Sequence, residues 1–432
     1  MKKLLVILFA LGLVFAFTAP VMATDVSFDG SYRIRGWMDS NAPLVENDVP
    51  SAYYDQRMRV GVTFQVAEGL KIYTRGDIMD GDWGGGLLRG NTANNIQFDL
   101  TYVTFMTAIG QFRAGMMSDG TWGLGFGNLE TFEGKIDYTT KVGNWILNAH
   151  FIKHDEGDQG HTWADRDYDS YRLATIYMDE ALTAGVVYVY GTDALDPNGL
   201  NTFNAIVTPL EPMVKATVHL VAPYFKATLG DLYIEGEAGW AKGEIPLTAA
   251  QRAWVGVTAD LEVEGLRAYL MAKYNLGSAY VGAFGAYVQG DDPNTTNKIE
   301  NFLNSGGDWD PMLILFNDTC PTALGTVGGT GTSMTNGTIY QVFAGTAIDK
   351  LSLKASLSMA KANENGGTVA APYISKDYGT EFDLEAAYKI YDNLTYSAGF
   401  GYLWAGDYYK GAVAATTVDN TYLLMNKLQV NF

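Results

Sequence analysis

The chain is poor in the residues that would make it an ordinary soluble or helical membrane protein. One cysteine, Cys320, stands in 432 residues. A lone cysteine excludes an internal disulfide, a paired-cysteine metal site and a haem-attachment motif. Basic residues are scarce, with 29 Lys and Arg against 48 Asp and Glu. The formal charge of −19 excludes nucleic acid as a partner. Long apolar runs are missing too. Only Leu4 to Phe17 is continuous, and it is short for a helical span.

That run follows Met1-Lys2-Lys3 and precedes Val21-Met22-Ala23, the pattern of a secretory signal peptide over residues 1–23. The mature protein is then expected to begin near Thr24. With no second apolar run, the remaining way to satisfy every backbone group in lipid is a closed β-barrel. The residues that are plentiful agree with one. Aromatics make up 13%, led by 27 Tyr, as interfacial girdles require, and there are 49 Gly.

Residues of alternating polarity predict an all-β, antiparallel transmembrane barrel of about eighteen strands. The strands fall near 26–38, 53–66, 70–82, 94–107, 111–118, 128–139, 144–155, 168–178 and 181–192. The rest fall near 213–229, 231–243, 253–275, 279–290, 338–348, 351–362, 377–389, 394–405 and 420–432. Every second connection is about two residues, such as Glu68-Gly69, Gly143-Asn144 and Gly230-Asp231. The others are long, which predicts short periplasmic turns and extracellular loops. Residues 250–275 are long for one strand, and Val263-Glu-Gly-Leu266 reads as a turn candidate. Two strands there would make the total odd, so one strand with an extended outer end is expected. A soluble β-sandwich shows similar alternation but not these alternating turn lengths.

Sidedness follows from parity. In strand 2, Met58, Val60, Val62, Phe64 and Val66 face lipid, opposite Asp55, Arg57, Arg59, Thr63 and Gln65. In strand 4, Ile96, Phe98, Leu100 and Tyr102 are expected on the lipid face. The last strand carries Tyr422, Leu424, Leu428, Val430 and Phe432 on one face, interrupted by Asn426. Its aromatic end resembles the signal read by the barrel-assembly machinery, with Tyr422 and Phe432 as the signal residues.

A barrel this wide cannot fill itself with strand side chains. Its inward charges are expected to form a basic wall, Arg33, Arg35, Arg57, Arg59, Arg75, Arg113 and Arg172. An acidic wall opposes it, Glu235, Glu237, Glu381, Asp383 and Glu385. Guanidinium groups bind carboxylates in pairs and would give an anionic sugar a file of weak stations. The plainer alternative is that these charges neutralise one another between neighbouring strands. The long segment 291–337 is expected to fold into the mouth, because Met312 to Phe316 would not be left in water. Its Asp291, Asp292, Asp308 and Asp310 are candidate Ca²⁺ ligands; no other cofactor is indicated.

The strand layout, Tyr54-Asp-Gln-Arg-Met-Arg59, and Tyr287-Val-Gln-Gly-Asp-Asp292 leading to Trp309-Asp-Pro311 resemble the alginate-export family of outer-membrane porins. The resemblance implies an eighteen-stranded barrel with a basic lumen for uronate polymers, and makes Arg57 and Arg59 inward basic residues. The acidic wall and acidic overall charge depart from that pattern. The reading is then an outer-membrane porin of a Gram-negative bacterium, passing small hydrophilic, anionic or sugar-like solutes. It would lie among lipid and lipopolysaccharide, with homo-oligomers a further expectation. The alternatives are a scaffold barrel around an electron-transfer or surface complex, and a hydrolase using His150 or His154. For the hydrolase, no serine nucleophile motif accompanies the four histidines, which also include His161 and His219; they read as polar lining.

Overall fold

The computed structural model describes residues 25–41, 44, 50–84, 96–156, 167–194, 215–317 and 333–432. The signal-peptide expectation, Cys320 and His161 lie outside them. Eighteen strands span the wall: β1 Asp25–Asp39, β2 Ser51–Ala67, β3 Leu70–Asp82, β4 Ile96–Thr107, β5 Gly110–Asp119, β6 Thr131–Val142, β7 Trp145–Asp155, β8 Tyr168–Met178 and β9 Leu182–Ala194. They continue with β10 Lys215–Leu229, β11 Leu232–Ile245, β12 Leu261–Leu276, β13 Ala279–Val288, β14 Gly337–Ile348, β15 Leu351–Ala362, β16 Asp377–Tyr391, β17 Leu394–Ala405 and β18 Thr421–Asn431. Each pairs antiparallel with the next, and β18 pairs with β1 from Ser31↔Asn431 to Asp39↔Leu423, closing the barrel. One two-residue strand, Lys298–Ile299, adds a parallel pairing to β12.

The short connections are tight turns that need left-handed backbone, which glycine supplies at Gly69 (φ 73°) and Gly143 (φ 59°). Lipid-facing side chains such as Phe28 (66% exposed) and Phe98 (69%) belt the outside. The structure shows the expected parity of β2; on β17, Tyr396, Phe400, Tyr402 and Trp404 face out.

Two expectations change. The segment before β12 is not an extended strand end but a short helix, α1 (Ala249–Val255). Thr248 caps it in a reciprocal box with Gln251, and Gly256 ends it at φ 83°. Val263 to Leu266 is no turn; it pairs continuously with β11. In β4 the parity flips midway. The β3–β4 register passes from Gly76↔Phe98 to Arg75↔Leu100, leaving Asp99 as an extra bulged residue. Leu100 is therefore buried, not lipid-facing, and Tyr102 turns to the inner face, its ring 5.5 Å from that of Tyr73. Beyond the bulge, Thr101 and Val103 take the outer positions.

Candidate functional site in the barrel lumen

Two segments fold inward and meet inside the barrel. The first, residues 120–130, leaves β5 and runs inside the barrel to the inner faces of β10 and β11. Proline has no N–H, so Pro223 cannot donate to the β10–β11 ladder, which skips Ala222 and Pro223. The Ala222 carbonyl instead accepts the Trp122 indole N–H at 2.8 Å. Trp122 meets the Tyr224 ring edge-on at 5.2 Å, and Leu124 N donates to Glu237 Oε2 at 2.9 Å.

The second segment, residues 300–317, arrives from β13. Asp308 N donates to Asn128 O at 2.9 Å, and Phe126 packs edge-on against Trp309 at 4.9 Å. Met312 to Phe316 are buried in one apolar cluster with Phe126, Trp37 and Tyr378, as their composition requires. Beneath them, Glu381 accepts from Ile314 N at 2.7 Å and Leu315 N at 2.8 Å. Gln341 donates to Pro311 O and Ser358 Oγ, both at 2.8 Å. Gly401 leaves room for the segment: a Cβ there would sit 3.1 Å from Leu313 Cβ and 3.0 Å from Asp383 Oδ1.

The acidic wall is mostly a footing for these segments. Glu381 is wholly buried, Asp383 is 1% exposed and Glu237 is 3% exposed. Glu237 lies 3.7 Å from Arg267, a residue the sequence reading did not single out. Glu235 accepts the Tyr233 and Tyr269 hydroxyls at 2.7 and 3.0 Å. Glu385, 2.8 Å from Lys354 in an open recess, and Glu235 are only partly buried. An open acidic wall facing a basic one is therefore not formed: inward parity put all five inside the barrel, but Glu237, Glu381 and Asp383 are buried under the inward segments.

The arginines do line one side, from β1 to β8, and most are paired. Arg35 donates to Asp55 at 3.0 Å, and Asp55 also accepts the Trp37 indole N–H at 2.8 Å. Arg59 grips Asp77 with two bonds of 2.7 and 2.8 Å. Arg75 holds Asp99 at 2.7 Å and Glu130 at 3.3 Å. Arg113 pairs with Asp137 at 2.7 Å, and Arg172 with Asp119 at 2.6 Å. Mutual neutralisation thus accounts for these five.

Three cations differ. Arg57 lies opposite Arg33 in the β1–β2 register and is only loosely placed at 3.9 Å from Asp77. Arg33 and Lys427 have no ion pair within 4 Å among the described residues. Lys427 stands opposite Arg35 and lines a recess of about 220 Å³ with Lys354 and Glu385.

The proposed calcium ligands do not converge. No group of three or more acidic or other ligating side chains forms a metal cluster among the described residues. Asp291 accepts from Glu300 N at 2.8 Å and Asp292 from Asn294 N at 2.9 Å, so both serve to hold a turn. Burial raises the Asp291 carboxyl above its usual range, whereas the Asn294 amides lower that of Asp292. Asp308 is tied through its backbone to Asn128, and Asp310 lies in the segment entering the lumen. Tyr422 and Phe432 both take outer-face positions; the Phe432 backbone bonds Gly30 in both directions at 2.9 and 3.0 Å. His150 and His154 face inward as expected. His219 does not: it sits outside, 2.7 Å from the Tyr188 hydroxyl.

Fold and site together define an eighteen-stranded transmembrane β-barrel, narrowed from within, with the fold of outer-membrane porins. No protein-family model matches the chain, and no curated protein matches it. Solved structures do. OprD of Pseudomonas aeruginosa superposes with a TM-score of 0.55 at 11% identity, over 96% of this chain and 97% of that one. OccK8 (OprE) of the same species gives 0.54 at 13% identity, over 96% and 99%. A BenF-like porin from Pseudomonas fluorescens Pf-5 gives 0.51 at 11%, over 94% and 99%. At such identities the likeness is one of fold, and none of these three is named as an alginate exporter.

Proposed function

We propose that the protein is a passive outer-membrane channel for small hydrophilic solutes, favouring anionic and sugar-like ones. The observation that carries this is the cluster of Arg33, Arg57 and Lys427 beside the inward segments. Its neighbours Arg35, Arg59 and Arg75 already have carboxylate partners, so this cluster holds the positive charge left for a passing anion. A guanidinium with free donors is a station strong enough to attract a carboxylate or a sugar hydroxyl and weak enough to release it. Uronates, implied by the likeness to alginate exporters around Tyr54 to Arg59, fit this chemistry through Arg57 rather than through the tightly held Arg59.

The test is single-channel recording of the refolded barrel in a planar bilayer, with a salt gradient and added oligouronate. Ohmic steps with anion preference and uronate block are expected, and both should fade in the Arg33→Gln, Lys427→Gln double variant. Cation preference without block would remove the anion reading. Absence of steps from folded protein would remove the channel reading and favour a scaffold barrel.

A further inference from the structure

Behind the 120–130 segment lies a compartment of about 590 Å³, bounded by the inner faces of β6 to β10. One circumferential row shows its character. Register pairs run Arg113, Asp137, His150, Arg172, Val189, Leu220, passing from charged to apolar in successive strands. Above and below this row, Val187, Val218 and Ala222 continue the apolar surface. A water-filled porin lumen is ordinarily polar at inward positions, so an aliphatic strip across β9 and β10 needs an occupant.

The opposite side carries polar groups with unused capacity. Neither Arg172 Nε nor His150 Nδ1 has a hydrogen-bond partner among the described residues, and both are buried. A buried donor such as Arg172 Nε and a buried acceptor such as His150 Nδ1 are costly unless something pairs with them. The charges lining the compartment are three carboxylates, Asp119, Glu133 and Asp193, against two guanidinium groups, Arg172 and Arg267. That balance disfavours an anion.

We propose that this compartment is a binding site for a neutral amphipathic solute. Its ring or branched aliphatic body lies on the β9–β10 strip, and an uncharged amide head meets the polar side. The amide oxygen accepts from Arg172 Nε and its N–H donates to His150 Nδ1, which is left as the acceptor because Nε2 faces Asp137 at 3.2 Å. The volume suits a ligand of that size. The proposal rests on the channel reading only for the route by which the solute arrives.

Equilibrium dialysis of benzamide against the refolded barrel in lipid nanodiscs, with empty nanodiscs subtracted, tests it. Benzamide should be retained saturably. Acetamide, which has the head without the body, should not be retained, and benzoate should bind at least tenfold more weakly. Val189→Asn and Leu220→Gln, polar changes that an inward barrel position tolerates, should each weaken benzamide binding at least fivefold. Ala174→Trp, which fills the space, should abolish it. Unsaturable uptake by folded barrel, benzoate binding tighter than benzamide, or variants that bind as well as the parent would each overturn the proposal. A barrel that conducts but retains no benzamide loses this site and keeps its channel function. One that retains benzamide without conducting does the reverse.

Discussion

Glu381 is the point at which the inward segment is most exposed to a single substitution. Its buried carboxyl group accepts two amide N–H groups, at 2.7 Å from Ile314 and 2.8 Å from Leu315. Glu381→Ala strands both donors in an apolar cluster, and leaving a buried donor unsatisfied costs about 1–3 kcal/mol, so the docked segment loses about 2–6 kcal/mol. Even the lower figure changes the docked-to-undocked ratio by about thirtyfold, since 1.4 kcal/mol is tenfold. Glu381→Gln keeps one acceptor but points an amide donor at the second N–H, and should fall between parent and alanine variant.

The readout is single-channel conductance together with cleavage by a protease that cuts beside large apolar residues. Glu381→Ala should conduct more, with frequent transitions between levels, and should be cut between Met312 and Phe316 within the time the parent survives. Unchanged conductance together with unchanged protease resistance would refute the argument that these two bonds hold the segment in the lumen.

Other substitutions probe the same architecture. Gly401→Val, forcing side-chain atoms against Leu313 and Asp383, should displace the segment and raise conductance without shifting the unfolding temperature of the wall. An unaltered conductance would mean that the glycine floor is not needed. Arg75→Gln leaves Asp99 and Glu130 without their bond to this guanidinium. Breaking a buried pair costs about 3–5 kcal/mol when the remaining charge has no other partner; here Arg59, 3.5 Å from Asp99 and 3.9 Å from Glu130, offsets part of it. The variant should unfold at lower temperature and move the reversal potential toward cations. Asn426→Leu, at an outer-face position beside Gly36, should stabilise the isolated barrel by roughly 1 kcal/mol by removing an amide from lipid. A loss of stability in urea titration would show that the amide has a partner.

The wall was legible because its signals are local. Alternation at period two and two-residue turns located all eighteen spanning strands, most of them to within three residues. What was missed depends on features that alternation does not encode. The bulge at Asp99 turns Leu100 and Tyr102 to the other face while every residue keeps its type. The helix after Thr248 did carry a signal, a Thr-x-x-Gln capping box ahead of good helix formers, which the wish for one long strand obscured. Parity correctly put Glu237, Glu381 and Asp383 inside, yet could not say that loops would lie over them. Trp122-Gly-Leu-Gly-Phe126 has the same apolar character that marked Met312 to Phe316. It passed unnoticed because the loop holding it is short.

The two inward segments are not independent. The Asp308 to Asn128 hydrogen bond and the Phe126–Trp309 contact fasten one to the other, although they spring from opposite sides of the wall. Seen by a traversing molecule, they amount to one crossbar anchored at both ends, not two doors in series. A thermal displacement at either anchor is transmitted to the middle, so fluctuations of the open current should come as a single correlated process with one lifetime.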